Sequence, residues 1–166
     1  MPNGNHKPFA KKIIFLDIDG PLLPARAWVL PQNRDASETS QFDPIAVAFV
    51  NRLIERSEGQ IVISSTWRAR GLKYITQCFE ANGISARDFH SDWATPTGPN
   101  INYSRKEQIA VWLHNHSEVT HYVCIDDIDL GIKECVLVTF QDGMLLDHYR
   151  EATRLLDCED KFVVLG

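Results

Sequence analysis

At 166 residues the chain has the length of one domain, large enough to build a core without disulfides or a structural metal. Its 44% hydrophobic and 23% charged residues are ordinary for a soluble globular protein, and a net charge of −5 argues against a broad basic nucleic-acid-binding surface, though not against a local basic groove. Four cysteines without C-x-x-C spacing, and no apolar run of signal-peptide or membrane-span length, point to reduced thiols in a cytoplasmic protein that stays off membranes.

The first eleven residues are polar, with Pro, Gly and Asn, and are expected to form a tail to a single domain over 12–166. Ile13 to Gly20 reads Ile-Ile-Phe-Leu-Asp-Ile-Asp-Gly. Four consecutive apolar residues predict a strand buried on both faces, as in parallel sheets. In open α/β sheets, ligands gather beyond the carboxyl ends of such strands. Asp17 and Asp19 stand there, and Gly20 lets the backbone turn tightly. Two acids so close repel unless a cation joins them or one stays protonated, and a hard oxygen-preferring cation such as Mg²⁺ is the first candidate. The competing reading is a solvated Asx turn.

From Gly20 to about Gln41 the chain is irregular, with Pro21, Pro24 and Pro31, and too long for a simple connection; a functional flap is expected. Asp43-Pro44 reads as an N-cap with a first-turn proline, opening a helix that carries Val47, Val50, Leu53 and Ile54 and stops at Gly59. A second strand over 60–63 runs into Ser64-Ser65-Thr66-Trp67-Arg68. A helix over about 69–82 then ends at Gly83. Residues 84–103 read as loop or short strand. Ser104-Arg105-Lys106-Glu107 has capping-box form and opens a helix with Ile109, Trp112 and Leu113. Tyr122 to Ile125 is a strand ending in Asp126-Asp127-Ile128-Asp129. Val136 to Phe140 is another, Asp142-Gly143 a structural turn, and Tyr149 to Leu156 a last helix. Short apolar runs alternating with amphipathic stretches mean βαβ units and an α/β fold.

Three strand ends thus carry polar chemistry: Asp17 and Asp19, Ser64-Ser65-Thr66, and Asp126-Asp127. Side by side in a parallel sheet they would meet at one edge. They would offer carboxylates to a cation, hydroxyls and backbone N–H groups to a phosphate, and Arg105 or Lys106 as positive charge. Phosphoryl transfer needs positioning and charge neutralisation above all, and this set supplies both.

Ile-Phe-Leu-Asp-Ile-Asp-Gly, Ile-Val-Ile-Ser-Ser-Thr-Trp-Arg, Ser-Arg-Lys-Glu-Gln-Ile-Ala-Val-Trp-Leu and Cys-Ile-Asp-Asp together resemble the four ordered motifs of the haloacid dehalogenase-like (HAD) superfamily. The resemblance is closest to its small HAD domains, including those joined to RNA-repair modules. It runs from about Lys12 to Leu156 and implies a Rossmann-like three-layer core with Mg²⁺-dependent phosphoryl transfer through an aspartyl-phosphate. By the same resemblance Asp17 is the nucleophile and Asp19 the general acid and base, its backbone carbonyl a metal ligand. Ser65 binds phosphate, with Ser64 the competing assignment and Gly20, Thr66 and Arg68 lining the substrate. Asp126 is a direct metal ligand, Asp127 a ligand through water or a group behind the ligands, and Asp129 a supporting group. The third-motif cation is Arg105 in the small-domain pattern and Lys106 in the commoner one; the other is solvated. Pro21 departs from the usual small residue after D-x-D-G and removes an N–H there.

Neither gap between motifs can hold a cap domain, so the site is expected to be open. An open site favours a phosphate on a macromolecule, a nucleic-acid end or a phosphoprotein; the alternative is a metabolite covered by an oligomeric neighbour. Trp28 could stack on a base or aromatic ester, whereas Trp67 is expected to pack beneath the site. His114 and His116, near a helix end, are read as solvated, and His90 and His148 carry no spacing that supports catalysis. The competing functions are a phosphate-binding module without turnover and a phosphotransferase to an acceptor other than water.

Overall fold

The computed structural model describes residues 11–35, 40–98 and 102–161. Five strands build one sheet: β1 (Lys11–Leu16), β2 (Gln60–Ile63), β3 (Phe89–Ala94), β4 (Val119–Asp126) and β5 (Cys135–Leu137). Their order is β3-β2-β1-β4-β5 and every pairing is parallel. Among the described residues five α-helices accompany them: α1 (Pro31–Arg34), α2 (Pro44–Ser57), α3 (Leu72–Ala81), α4 (Arg105–His114) and α5 (Leu146–Leu155).

The alternation along β1 decides the layers. Ile14 and Leu16 face a core completed by Val50 and Leu53 of α2, Ile75 and Phe79 of α3, and Tyr149 and Ala152 of α5. Ile13 and Phe15 face the other way, onto Ile109 and Trp112 of α4. Phe15 meets the Trp112 ring edge-on at 5.3 Å. This is the expected three-layer α/β sandwich with β1 at its centre, buried on both faces.

Local chemistry sets the helix ends. The Asp43 carboxylate accepts the N–H groups of Ile45 and Ala46 and holds the start of α2 against Pro44. Ser104 and Glu107 form the reciprocal capping box that starts α4. The stop of α2 falls on Glu58, left-handed at φ 55°, rather than on Gly59.

Several boundaries differ from expectation. Lys11 belongs to β1 rather than to the tail, whose other residues lie outside those described, as does part of the 84–103 loop. The helix expected over 69–82 is split by Gly71 (φ 86°) into a 3₁₀ turn, Thr66–Arg70, and α3. Within 84–103 lies β3, an edge strand whose polar FHSDWA sequence hides it. The Val136–Phe140 strand shortens to β5, and the last helix begins earlier, at Leu146.

The flap is knitted to its surroundings. It contains a 3₁₀ turn, Ala25–Val29, and α1. Ala25 N–H donates to Phe140 O at 2.8 Å and Arg26 N–H to Gln141 O at 3.3 Å. Gly143 (φ 66°) packs so closely that a Cβ there would lie 2.9 Å from Pro24 and 3.0 Å from Gly20 O. On the other side Asn82 accepts Phe42 N–H and donates to Ser40 O and Cys78 O.

Candidate functional site

Because β2, β1 and β4 are neighbours, their polar ends converge. Asp17 follows β1 directly, its N–H donated to Ile125 O of β4, while Ser64 N–H is donated to Leu16 O of β1. The tips are therefore tied across both seams, and Asp17, Ser64, Ser65 and Asp126 are all buried.

Carboxylate oxygens of Asp17, Asp126 and Asp127 lie within 4.8 Å of one another. Gly20 makes room for the third: at φ 97°, a Cβ there would stand 2.7 Å from the Asp127 Cβ. Three hard oxygen donors on fixed strand ends suit Mg²⁺ or a similar ion. The carboxylate of Asp19 is not part of this group.

Arg105, the first residue of α4, reaches into the cluster. Its Nη1 lies 3.0 Å from Asp17 Oδ2 and 2.6 Å from Asp126 Oδ2. Burial disfavours the guanidinium charge, but the two carboxylates outweigh that and raise its pKa. Lys106 instead sends its ammonium to Gly131 O, 3.1 Å away, on the exposed side. Geometry thus separates the pair: Arg105 meets the carboxylates and Lys106 does not.

Burial also dominates Asp17. Desolvation pushes its carboxyl up to about 7; the Arg105 charge opposes this and the Asp126 charge reinforces it, while the Ile18 N–H and the Ser65 hydroxyl favour ionisation. Ser65 is therefore the serine in contact with Asp17, and its Oγ also accepts Trp67 N–H. Ser64 is held by its backbone, its carbonyl accepting from Arg68 at 2.9 Å.

Arg68 braces the second motif rather than pointing freely at solvent. Nη1 donates to Ser64 O and Ser65 O, and Nη2 to Gln108 Oε1 of α4. Burial, with the nearby Arg105 charge, lowers its pKa. Asp126 Oδ1 accepts Ile128 N–H, and Asp129 Oδ1 accepts Gly131 N–H. Asp129 therefore shapes the turn after β4 at the surface.

Beside the carboxylates lies an open cavity of about 520 Å³, bordered by Thr66, Arg68, Arg105, Lys106, Ile128 and Asp129. Arg105 belongs to both the cavity and the cluster, which links them. Trp28 is exposed on the flap. Trp67 is buried as expected, yet it does more than pack: its indole N–H donates to Asp19 Oδ2 at 2.9 Å. Sequence reasoning had no signal for that bond or for Gln108.

His116 corrects the solvated reading. It stacks on Trp112 with centroids 3.7 Å apart, beside His90 and 3.4 Å from Asp92. His90, His116 and Glu118 stand together at the opposite edge of the sheet. Their atoms already have partners: His90 Nδ1 accepts Asp92 N–H, His116 Nδ1 meets Trp112 O, and Lys11 lies 3.5 Å from Glu118.

Over residues 13–149 the chain matches the family described as the HAD domain in Swiss Army Knife RNA repair proteins. No curated protein and no solved structure gives a match. Among the described residues no helix is long and apolar enough to cross a membrane.

Proposed function

The chain belongs to the family of HAD domains found in Swiss Army Knife RNA repair proteins, and from that premise we propose that it is a Mg²⁺-dependent phosphomonoester hydrolase working through an aspartyl-phosphate on Asp17. The observation that supports this most is the convergence of Asp17, Asp126, Asp127, Ser65 and Arg105 at three adjoining strand tips. No single strand end would support it alone.

In this reading Asp17 attacks phosphorus with one carboxylate oxygen, and the bond to the leaving oxygen breaks as Asp19 gives that oxygen a proton. Asp19 then takes a proton from water, whose oxygen displaces the Asp17 carboxylate and releases inorganic phosphate. The cation, when bound to Asp17, Asp126 and Asp127, supplies positive charge to the phosphoryl oxygens and keeps Asp17 ionised. Arg105 and the Ser65 hydroxyl share the work of holding the phosphate, in a setting where burial strengthens each contact. Arg68 keeps the Ser64–Ser65 backbone in place for it.

The substrate class is an accessible phosphate on a macromolecule or nucleotide. The cavity beside the carboxylates is open to solvent, which suits a phosphate presented from outside. The family's occurrence in RNA repair proteins favours a polynucleotide end over a phosphoprotein.

Hydrolysis of 4-nitrophenyl phosphate should stop on chelation, and Asp17→Asn should lower it by roughly 10³-fold while the fold survives. Retained hydrolysis in that variant would refute Asp17 as nucleophile. Beryllium fluoride should bind only with Mg²⁺ and only to the wild type. Metal-independent, weak binding would instead mark a module without turnover.

A further inference from the structure

We propose that Trp67 is the positioning residue for Asp19, fixing the orientation of the carboxyl group that faces the substrate. This rests on the phosphohydrolase reading and adds a residue to it.

The argument starts from how firmly Trp67 is held. Its backbone N–H is capped by Ser65 Oγ at 3.3 Å, and only 9% of the residue is exposed. The Arg70 guanidinium lies over the indole at 4.6 Å, and the Phe42 and Tyr74 rings stand within 6.4 Å and 6.3 Å. A guanidinium over an indole face gains cation–π attraction, and the two aromatic neighbours restrict the room in which the ring can rotate. The indole is therefore a rigid donor mounted on the tip of β2.

That donor is aimed at a residue on a different strand tip, Asp19, at 2.9 Å from Oδ2. An indole nitrogen can only donate, so Oδ2 must accept in either protonation state. The carbonyl oxygen of a neutral acid is its better acceptor, so this bond favours Oδ1 as the oxygen that bears the proton. The same bond suits both halves of the cycle: it is donated to the carbonyl oxygen of the neutral acid, and to the carboxylate once the proton has gone to the leaving oxygen. Trp67 itself exchanges no proton and touches no reacting atom. A side chain free to swing through 120° would present its proton in the right direction only part of the time, and orientation of this kind is worth one or two orders of magnitude in rate.

The consequence is selective. An ester whose leaving oxygen is basic needs protonation as its bond breaks; one with a stabilised leaving anion does not. In Trp67→Phe, which keeps an aromatic ring but loses the donor, kcat/KM on phenyl phosphate should fall by about 10- to 100-fold. On 4-nitrophenyl phosphate it should change less than about threefold, because general-acid help matters little there. A purely structural role would depress both esters alike. The bond can be read without turnover in ¹⁵N-labelled protein, from the indole resonance that Trp67→Phe removes. In Asp19→Ala that resonance should move upfield and exchange faster with solvent. Equal losses on both esters, or an indole resonance indifferent to Asp19→Ala, would overturn the proposal. Absence of any hydrolysis by the wild type would count against the phosphohydrolase reading instead, and leave the resonance to decide the role of Trp67.

Discussion

Removing the charge from Asp17 should stabilise the protein while it abolishes turnover. Burial pushes the Asp17 carboxyl up to about 7 from an ordinary value of 3.8. At ~1.4 kcal/mol per pKa unit, ionising it in the folded chain at neutral pH costs at most about 4 kcal/mol. The sign follows from proton counting: between pH 4 and 7 the unfolded chain has released this proton and the folded chain still holds it. Stability therefore falls as pH rises through that window and levels off above 7. Asparagine imitates the neutral acid but offers Arg105 a weaker partner, so a gain of about 2–4 kcal/mol is expected at pH 7.5, or roughly 5–15 °C in melting temperature. Melting of wild type and Asp17→Asn in chelator, from pH 4 to 8, gives the difference directly and cancels other titrating groups. The two curves should coincide near pH 4 and separate towards pH 7. Saturating Mg²⁺ should close the gap by binding the folded wild type. Curves that stay parallel across the window would refute the claim that burial governs Asp17.

Three further substitutions probe the cluster and its surroundings. Arg105→Ala leaves the buried Asp17 and Asp126 without their shared counter-charge and should cost about 3–5 kcal/mol in urea unfolding, whereas Lys106→Ala should stay within about 0.5 kcal/mol. Equal costs would mean the wrong cation has been assigned. Gly20→Ala must place a Cβ on Asp127 in a left-handed conformation, so we expect a loss of about 1–3 kcal/mol and weaker Mg²⁺ binding by calorimetry. Unchanged affinity would remove Asp127 from the cation site.

Much of this was legible from residue order alone. The apolar run before Asp17 could only be a central strand, and β2 appeared at its full extent, since buried parallel strands announce themselves as unbroken Val and Ile. What stayed hidden was held by contacts between distant segments. β3 pairs on one side only and tolerates Ser, Asp and His, so its sequence reads as loop. The choice between Arg105 and Lys106 depends on where the first turn of α4 points relative to β1 and β4, which spacing cannot express. The Trp67–Asp19 bond joins residues 48 positions apart. Its only trace in the sequence is an aromatic two residues after Ser65, which packing explains equally well. His116 misled for the same reason: a helix end invites solvent until an edge strand arrives beside it.

The seams that tie the flap to the turn around Gly143 on one side and to Asn82 on the other have a bearing on traffic. The described part of the flap is thereby braced on two sides. The cavity opens to solvent past Ile128 and Lys106. On the proposed reading, a bulky molecule would dock from outside with only its terminal phosphate inserted.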